Sequence, residues 1–430
     1  MTPESSSRRD PPPTGLAATA SGVLQPAVAD GTERPSAAAL MATAAGLVPV
    51  LRERAALCEK SRRISDATIE QLRAARLFDV VKPRRYGGFE LGWDVFSEIV
   101  VTLATGCGST GWVYSVVGGH APIVVRFGTD LMDEIWLKQP QALISSSRRV
   151  SGEIARVAGG YRGSGVGAYS SGCLHADWVI IESVPVRGEQ WTLTIILPIA
   201  DIEILDTWNS LGLAGTGSHD VRFKDAFIPE HRTWHSGKPP HGETLQGPLF
   251  RTPFLGGPFA LPSVVLGVAM AGLEEFARMT HRRFTRQGTA MAELQSMQMR
   301  IGEAAIEIDA AQSLLRAKLH DLMAHLSGGD APRAGQRLLL PSGGKSHGYD
   351  QAAMSYIAHQ AYKALEHLMV AAGAGQLTAS APFQRCFRDA LAGIQQPSNN
   401  WDNGRTAAGR EILERLKPQS GEMATQTREK

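Results

Sequence analysis

The chain has 430 residues, 43% hydrophobic and 20% charged, the composition of a globular protein with two or three packed regions. Its 44 basic and 42 acidic residues nearly cancel, which leaves no long cationic stripe for a nucleic-acid duplex; the local group Arg282, Arg283 and Arg286 suits one phosphate or a solvated helix face. Cys58, Cys107, Cys173 and Cys386 form no CxxC pair, which argues against a zinc knuckle or disulfide scaffold, and the N-terminus lacks a compact apolar run with a cleavage site; both features point to a cytoplasmic protein.

Residues 1–38, rich in Pro, Ser, Ala and Thr, read as a disordered tail that cannot bury enough surface to offset its ordering entropy. Residues 39–140 read as a helical domain. Leu47, Leu51 and Ala55 share a face, Ser65 or Asp66 caps a segment carrying Ile69 and Leu72, and Phe96, Val100 and Leu103 mark another helix. Gly106 to Gly111 reads as a turn into the next one. From residue 141 to 240 the period changes to two: Trp191, Leu193, Ile195 and Leu197 alternate with Thr192, Thr194 and Ile196, and Val221 and Phe223 with Arg222 and Lys224.

Residues 241–415 return to helical spacing, with a long stripe through Ile301, Ala305, Ile308, Leu315, Leu319 and Leu322. Further helices are expected over Asp350 to Ala372 and Phe383 to Ala392, and residues 416–430 form a second tail. The uncharged stretch Thr252 to Leu273 is as long as a membrane span, but Pro253, Pro258 and Pro262 divide it, so a buried central helix is expected from near Pro262.

Familiar signatures fail on context. Gly212, Gly215 and Gly217 precede a strand, whereas a dinucleotide-binding fingerprint opens a helix. Gly344, Lys345 and Ser346 mimic the end of a phosphate-binding loop, but Leu339 occupies the leading glycine position. No HExxH or GxSxG spacing occurs, so neither a metal site nor a hydrolase elbow is expected. The run Ser145 to Arg149 lies where helices give way to strands, a junction that can expose hydroxyls to a ligand.

An ordered set of short pieces carries more information than any one of them: Pro83, Tyr86, Gly87 and Gly88; Gly108 to Trp112; Gly160, Tyr161, Ser164 and Gly165; Ser171, Gly172, Ala176 and Trp178; Trp208, Gly212 and Gly217; Arg385, Arg388 and Asp389. Together, over about Leu40 to Leu413, they resemble the acyl-CoA dehydrogenase fold and its monooxygenase branch, which includes p-hydroxyphenylacetate, steroid-phenol and pigment-biosynthesis hydroxylases. The resemblance implies an α+β chain with an N-terminal helical domain, a central β-barrel domain and a C-terminal four-helix bundle. It implies reduced FMN or FAD delivered by a separate flavin reductase, O2 as co-substrate, a homotetramer, and an aromatic or polyketide-like substrate from natural-product biosynthesis. By the same resemblance Ser171 lies near flavin N5, Trp112 and Ser147 line the ring, Arg283 with Phe284 receive the phosphate end, and Gly373, Ala374 and Gly375 let backbone approach it. His120 and Ser146 correspond to contacts of a phenolic substrate.

Departures from the pattern matter too. Gln396 stands where many such hydroxylases have a histidine; glutamine donates a hydrogen bond but does not titrate. Gly167 stands where a tryptophan is common. A dehydrogenase needs a carboxylate against the flavin, and neither the neighbourhood of Gln396 and Pro397 nor the stretch Thr252 to Leu273 supplies one. N-oxygenation of an amine, a flavin-dependent oxidase or dehydrogenase, and a non-catalytic homologue remain as alternatives: an amine favours an acceptor-lined pocket, a phenol favours His120, and loss of flavin binding favours the last.

Overall fold

The computed structural model describes residues 34–235, 245, 247–252, 257–328 and 347–417. Most of both expected tails lies outside these residues, as do Leu339 and the Gly344–Ser346 sequence. Helix α1 (Ala37–Ser61) starts slightly earlier than expected because the Ser36 hydroxyl accepts a hydrogen bond from Ala39 N at 3.1 Å. Ser65 caps α2 (Asp66–Ala74) through Thr68 N. The glycine-rich stretch read as a turn is mostly helix: α3 (Trp93–Gly106) and α4 (Gly108–Val117) are separated by Cys107 alone. A side chain at Gly111 would meet the Ala104 Cβ at 2.7 Å, so this glycine serves the close approach of the two helices. Short helices α5 (Ala121–Val124) and α6 (Thr129–Trp136) lead into the sheets.

The central domain consists of two four-stranded sheets. One has the order β1 (Ile144–Ser147), β4 (Trp178–Pro185), β5 (Thr192–Pro198), β8 (Thr233–Trp234), with β1 and β4 parallel. The other has the order β2 (Arg149–Val157), β3 (Gly160–Ser170), β7 (His219–Pro229), β6 (Glu203–Leu205), all antiparallel. The strands of the expected barrel thus form two sheets around one core of Ile154, Val179, Ile181, Leu193, Ile195, Leu197, Val221 and Phe223, and a bridge between Ile154 and Val186 ties them together. Strand β7 keeps the expected alternation of buried and exposed residues. Strand β5 does not: Ile196 is buried against α5 and α6, so the strand is covered on both faces.

Helices α7 (Ala260–His281), α8 (Gln295–Leu326), α9 (His347–Met369) and α10 (Pro382–Gly393) form the C-terminal bundle. Helix α7 is long and apolar enough to cross a membrane, but 61% of its most apolar window is buried inside the protein. On α8, Ile308, Leu315, Leu319 and Leu322 are buried as expected, while Ala304 rather than Ala305 is the fully buried small residue. A further helix, α11 (Trp401–Arg415), packs on α9 and was not anticipated. Helices α1, α3 and α4 share one continuous core with α7 to α10, so the helical parts separated in sequence are one body in space.

Candidate active site

Two groups of candidate residues meet where α4, β1 and α10 converge, and a third lies at the far end of α7. The first is a chain of hydroxyls. Trp112 Nε1, on α4, donates to Ser171 Oγ at 3.2 Å; Ser171 Oγ and Ser218 Oγ share a hydrogen bond of 2.7 Å; Ser218 Oγ and Thr216 Oγ1 share another of 2.7 Å; and Thr216 Oγ1 donates to Leu213 O at 2.8 Å. All four side chains are buried. Thr216 and Ser218 were not singled out from sequence, because the glycine pattern around them drew attention instead. Those glycines are packing residues: a Cβ at Gly212 would lie 2.0 Å from Arg388 O, and one at Gly215 2.3 Å from the Cys58 sulfur. Helix α10 clamps this segment, with Asp389 Oδ1 accepting from Leu213 N at 2.6 Å and Arg388 Nη1 donating to Leu211 O at 2.5 Å. Burial pushes the Asp389 carboxyl up to about 7.

The second group is His120 with Ser146. His120 is 5% exposed, and its Nδ1 lies 2.7 Å from Ile144 O. A carbonyl oxygen only accepts, so Nδ1 carries the proton and Nε2 is the lone-pair nitrogen, which faces the Ser146 hydroxyl at 3.1 Å. Burial is the main cause that pushes the imidazole down to about 4, with the charge of Arg148 adding to it, so His120 is neutral at neutral pH. Ser146 and Ser147, adjacent in sequence, point to opposite faces of β1 because strand side chains alternate. Ser147 Oγ donates to Ala168 O at 2.6 Å, and a Cβ at Gly167 would lie 2.6 Å from that same hydroxyl. The missing tryptophan at Gly167 therefore goes together with a serine occupying the adjacent space.

Gln396 lies in the turn after α10, partly buried. Its Oε1 accepts from Ser398 N at 2.6 Å and from the Ser398 hydroxyl, which leaves the two Nε2 amide protons as the available donors. The third group is distant. Arg283 Nη1 donates to Ala372 O at 2.5 Å, and a Cβ at Gly373 would lie 2.7 Å from Arg283 Nη2, so only glycine lets the guanidinium sit there. Phe284 is 65% exposed beside it, and Gly373, Ala374 and Gly375 form an exposed turn. Val265, next to Gly393 and Trp112, and His281, just before Arg283, are separated by about 24 Å of α7 axis at 1.5 Å per residue. One subunit thus brings together Trp112, Ser171, Ser146, Ser147 and His120 around α4 and β1, and holds Arg283, Phe284 and the glycine turn at the other end of the bundle.

The residues fit a flavin in kind. A buried tryptophan N–H and linked hydroxyls suit the polar edge of an isoalloxazine, and a cation in a cradle that a Cβ would fill suits a phosphate. The only carboxyl among the residues of this hydroxyl chain and its clamp, Asp389, is engaged by Leu213 N, so no carboxylate there is placed for α-proton abstraction. Elsewhere, α8 and α9 bring donor atoms of Glu303, Glu307 and His367 within 4.8 Å of one another, where His367 pairs with Glu307 at 3.3 Å.

Comparison with known proteins agrees with this architecture. Residues 35–141 match the acyl-CoA dehydrogenase N-terminal domain and residues 260–396 the acyl-CoA dehydrogenase C-terminal domain. The chain is 34% identical to a pigment production hydroxylase of Rhodococcus sp., over 81% of this chain and 90% of that one. It is 32% identical to the oxygenase component of an FADH2-dependent resorcinol hydroxylase of Rhizobium sp., over 87% and 94%. The solved structure of XiaF from Streptomyces sp. in complex with FADH2 and glycerol superposes with a TM-score of 0.76 at 27% identity, covering 89% of this chain and 96% of that one. The chain belongs to the flavin-dependent monooxygenases built on the acyl-CoA dehydrogenase fold, the oxygenase components that use reduced flavin and O2.

Proposed function

We propose that the chain hydroxylates a phenolic ring of an aromatic or polycyclic natural-product intermediate in the cytoplasm, with reduced FMN or FAD delivered by a separate reductase. The observation that carries this reading is the Ile144 O, His120, Ser146 relay. A neutral imidazole with its Nε2 lone pair turned toward a hydroxyl can take the proton of a phenol through Ser146, which makes the ring carbon a better nucleophile. A buried amine would find no carboxylate acceptor in this relay, so the phenol is favoured over N-oxygenation.

Reduced flavin, when bound, supplies the electrons that activate oxygen. The chain's own residues do the rest. Trp112 and Ser171 hold the polar edge of the ring, Ser147 borders it from β1, and buried apolar neighbours exclude water. The Gln396 amide donates a hydrogen bond from the α10 side. Arg283, Phe284 and the Gly373 to Gly375 turn receive the phosphate end of a flavin held by another subunit, because neither the phosphate of FMN nor the pyrophosphate of FAD extends about 24 Å from its ring. An assembly of at least two subunits follows from the same argument, and the homotetramer that the resemblance implies would satisfy it. It also covers the exposed Phe284, Met299, Ile306, Val370 and Leu377.

The test is a coupling measurement with reduced flavin and a set of phenols. Ser146→Ala and His120→Ala are expected to lower product formed per flavin oxidised by about 10²-fold, with flavin oxidation continuing. Unchanged product yield in both variants would reject the proton relay.

A further inference from the structure

The hydroxyl chain behind Ser171 has a direction. Its far end is a fixed acceptor: Leu213 O takes the Thr216 hydroxyl proton at 2.8 Å, and a carbonyl oxygen never donates. Thr216 has only that one hydroxyl proton, so across its 2.7 Å contact with Ser218 it accepts. The Ser218 proton is thereby directed at Thr216, and Ser218 accepts from Ser171 across 2.7 Å. Ser171 Oγ thus donates to Ser218 and accepts from Trp112 Nε1, which only donates, at 3.2 Å. Reversing any link would set oxygen lone pairs against each other at 2.7 or 2.8 Å in a buried place. Ser171 Oγ is left with one unused lone pair and no unused proton.

The anchor of this chain is built with care. Leu213 O and Thr216 bracket a single 3-10 turn (Ala214–Thr216), in which Leu213 has a left-handed backbone at φ 52°, a conformation that costs about 1 kcal/mol for a residue with a side chain. Asp389 Oδ1 holds it there through Leu213 N at 2.6 Å, and Thr216 N also donates to Leu213 O at 3.1 Å. Gly172 N, next to Ser171, donates to Thr216 O at 3.0 Å, which ties the two ends of the chain together. Exposure rises from 2% at Thr216 through 4% at Ser218 to 8% at Ser171, so the anchored end is the sealed one.

We propose that Thr216 and Ser218 are positioning residues that orient the Ser171 hydroxyl, and that this orientation makes the site prefer reduced over oxidised flavin. With Ser171 near flavin N5, the placement on which this proposal rests, the N5 proton of reduced flavin meets the unused lone pair of Oγ. Oxidised flavin has only a lone pair at N5, and Ser171 has no proton to turn toward it. Two acceptors left facing each other away from water are unfavourable by about the worth of a hydrogen bond. The same preference releases oxidised flavin for return to the reductase.

The test is equilibrium binding, without turnover. The full chain is titrated with oxidised FMN and FAD, and anaerobically with the dithionite-reduced forms, and the ratio of the two Kd values is compared among variants. Thr216→Val and Ser218→Ala each free the Ser171 proton to turn toward N5, and are expected to lower the preference for reduced flavin about tenfold, chiefly by tightening the oxidised form. The midpoint potential of the bound flavin falls with it, by about 30 mV for two electrons. Thr216→Ser restores the hydroxyl and is expected to keep the parental ratio. An unchanged ratio in Thr216→Val and Ser218→Ala, or equal weakening of both flavin forms, would overturn the proposal, the latter by reducing the two residues to structural supports. If one of these variants fails to fold, the other decides alone. Ser171→Ala separates the two levels: weaker binding of reduced flavin there, beside an unchanged ratio in the other variants, rejects the orienting chain only, whereas unchanged binding of both forms removes Ser171 from N5 and the proposal with it.

Discussion

At the scale of single residues, His120 has a thermodynamic consequence that can be separated from its chemistry. Its folded value of about 4 lies below the ordinary 6.5, so on acidification the unfolded chain takes up the proton first. The stability associated with a neutral buried imidazole is complete above pH 6.5 and is lost as pH falls from 6.5 to about 4, by about 3 kcal/mol in total. His120→Asn keeps a donor for Ile144 O and an acceptor for Ser146, and is expected to flatten that part of the pH profile in urea unfolding at pH 7 and pH 5. Gly167 makes a second case. Gly167→Ala places a methyl 2.6 Å from Ser147 Oγ and is expected to cost about 1–3 kcal/mol. Ser147→Ala removes the 2.6 Å contact but leaves the Cβ of residue 147 at 2.8 Å, so only part of that cost is expected to disappear in the double variant, as a double-mutant cycle would measure.

These residues show what a sequence can and cannot reveal at this scale. The resemblance assigns His120 and Ser146 to a phenolic substrate and Trp112, Ser147 and Ser171 to the flavin; within the fold His120 is in hydrogen-bond contact with Ser146 and Trp112 with Ser171. Periodicity alone could not have told Ser146 from Ser147, which differ in the face of β1 they occupy. Thr216 and Ser218 are not legible in the sequence because their link to the site is the contact of Ser218 with Ser171, 47 positions away in the chain, and nothing local marks it.

At the scale of elements, α10 acts as a clamp on the segment that supports Ser171. Asp389 is held up at about 7 against an ordinary 3.8, so as pH rises the unfolded chain loses its proton first. The stability from this buried acid is complete below pH 3.8 and is lost as pH rises toward 7. Asp389→Asn keeps the acceptor for Leu213 N without the charge. It is therefore expected to be more stable than the parent at pH 8, with the difference shrinking toward pH 5, as paired thermal unfolding curves would record. Helix α11 illustrates why some elements were not legible. Its sequence, with Asp402, Asn403, Gly404 and Arg405 in the first turns, lacks an apolar stripe, and it packs closely through Gly404, where a Cβ would lie 1.8 Å from Ser355 Oγ. The long apolar helices α7 and α8 announced themselves by period; a helix that docks through a glycine does not.

At the scale of the whole molecule, the order helices, sheets, helices was readable from the change in period, whereas the merging of both helical parts into one core was not, because that core is built from contacts between distant segments. The separation of Trp112 and Ser171 from Arg283 along α7 predicts that flavin sites are shared between subunits. Mixing Ser171→Ala subunits with Arg283→Ala subunits, each expected to bind reduced flavin weakly alone, should restore a fraction of sites in mixed oligomers that anaerobic titration detects. No recovery in demonstrably mixed oligomers would place the whole flavin site within one chain.

The most direct test of the central claim is isotopic. The purified chain would be given chemically or enzymatically reduced FAD or FMN, a phenolic substrate and ¹⁸O2, and the product examined by mass spectrometry. One ¹⁸O atom is expected in a ring hydroxyl, with no NAD(P)H consumed by the chain on its own. A dehydrogenated product without label, or label entering from H2¹⁸O instead, would contradict the claim.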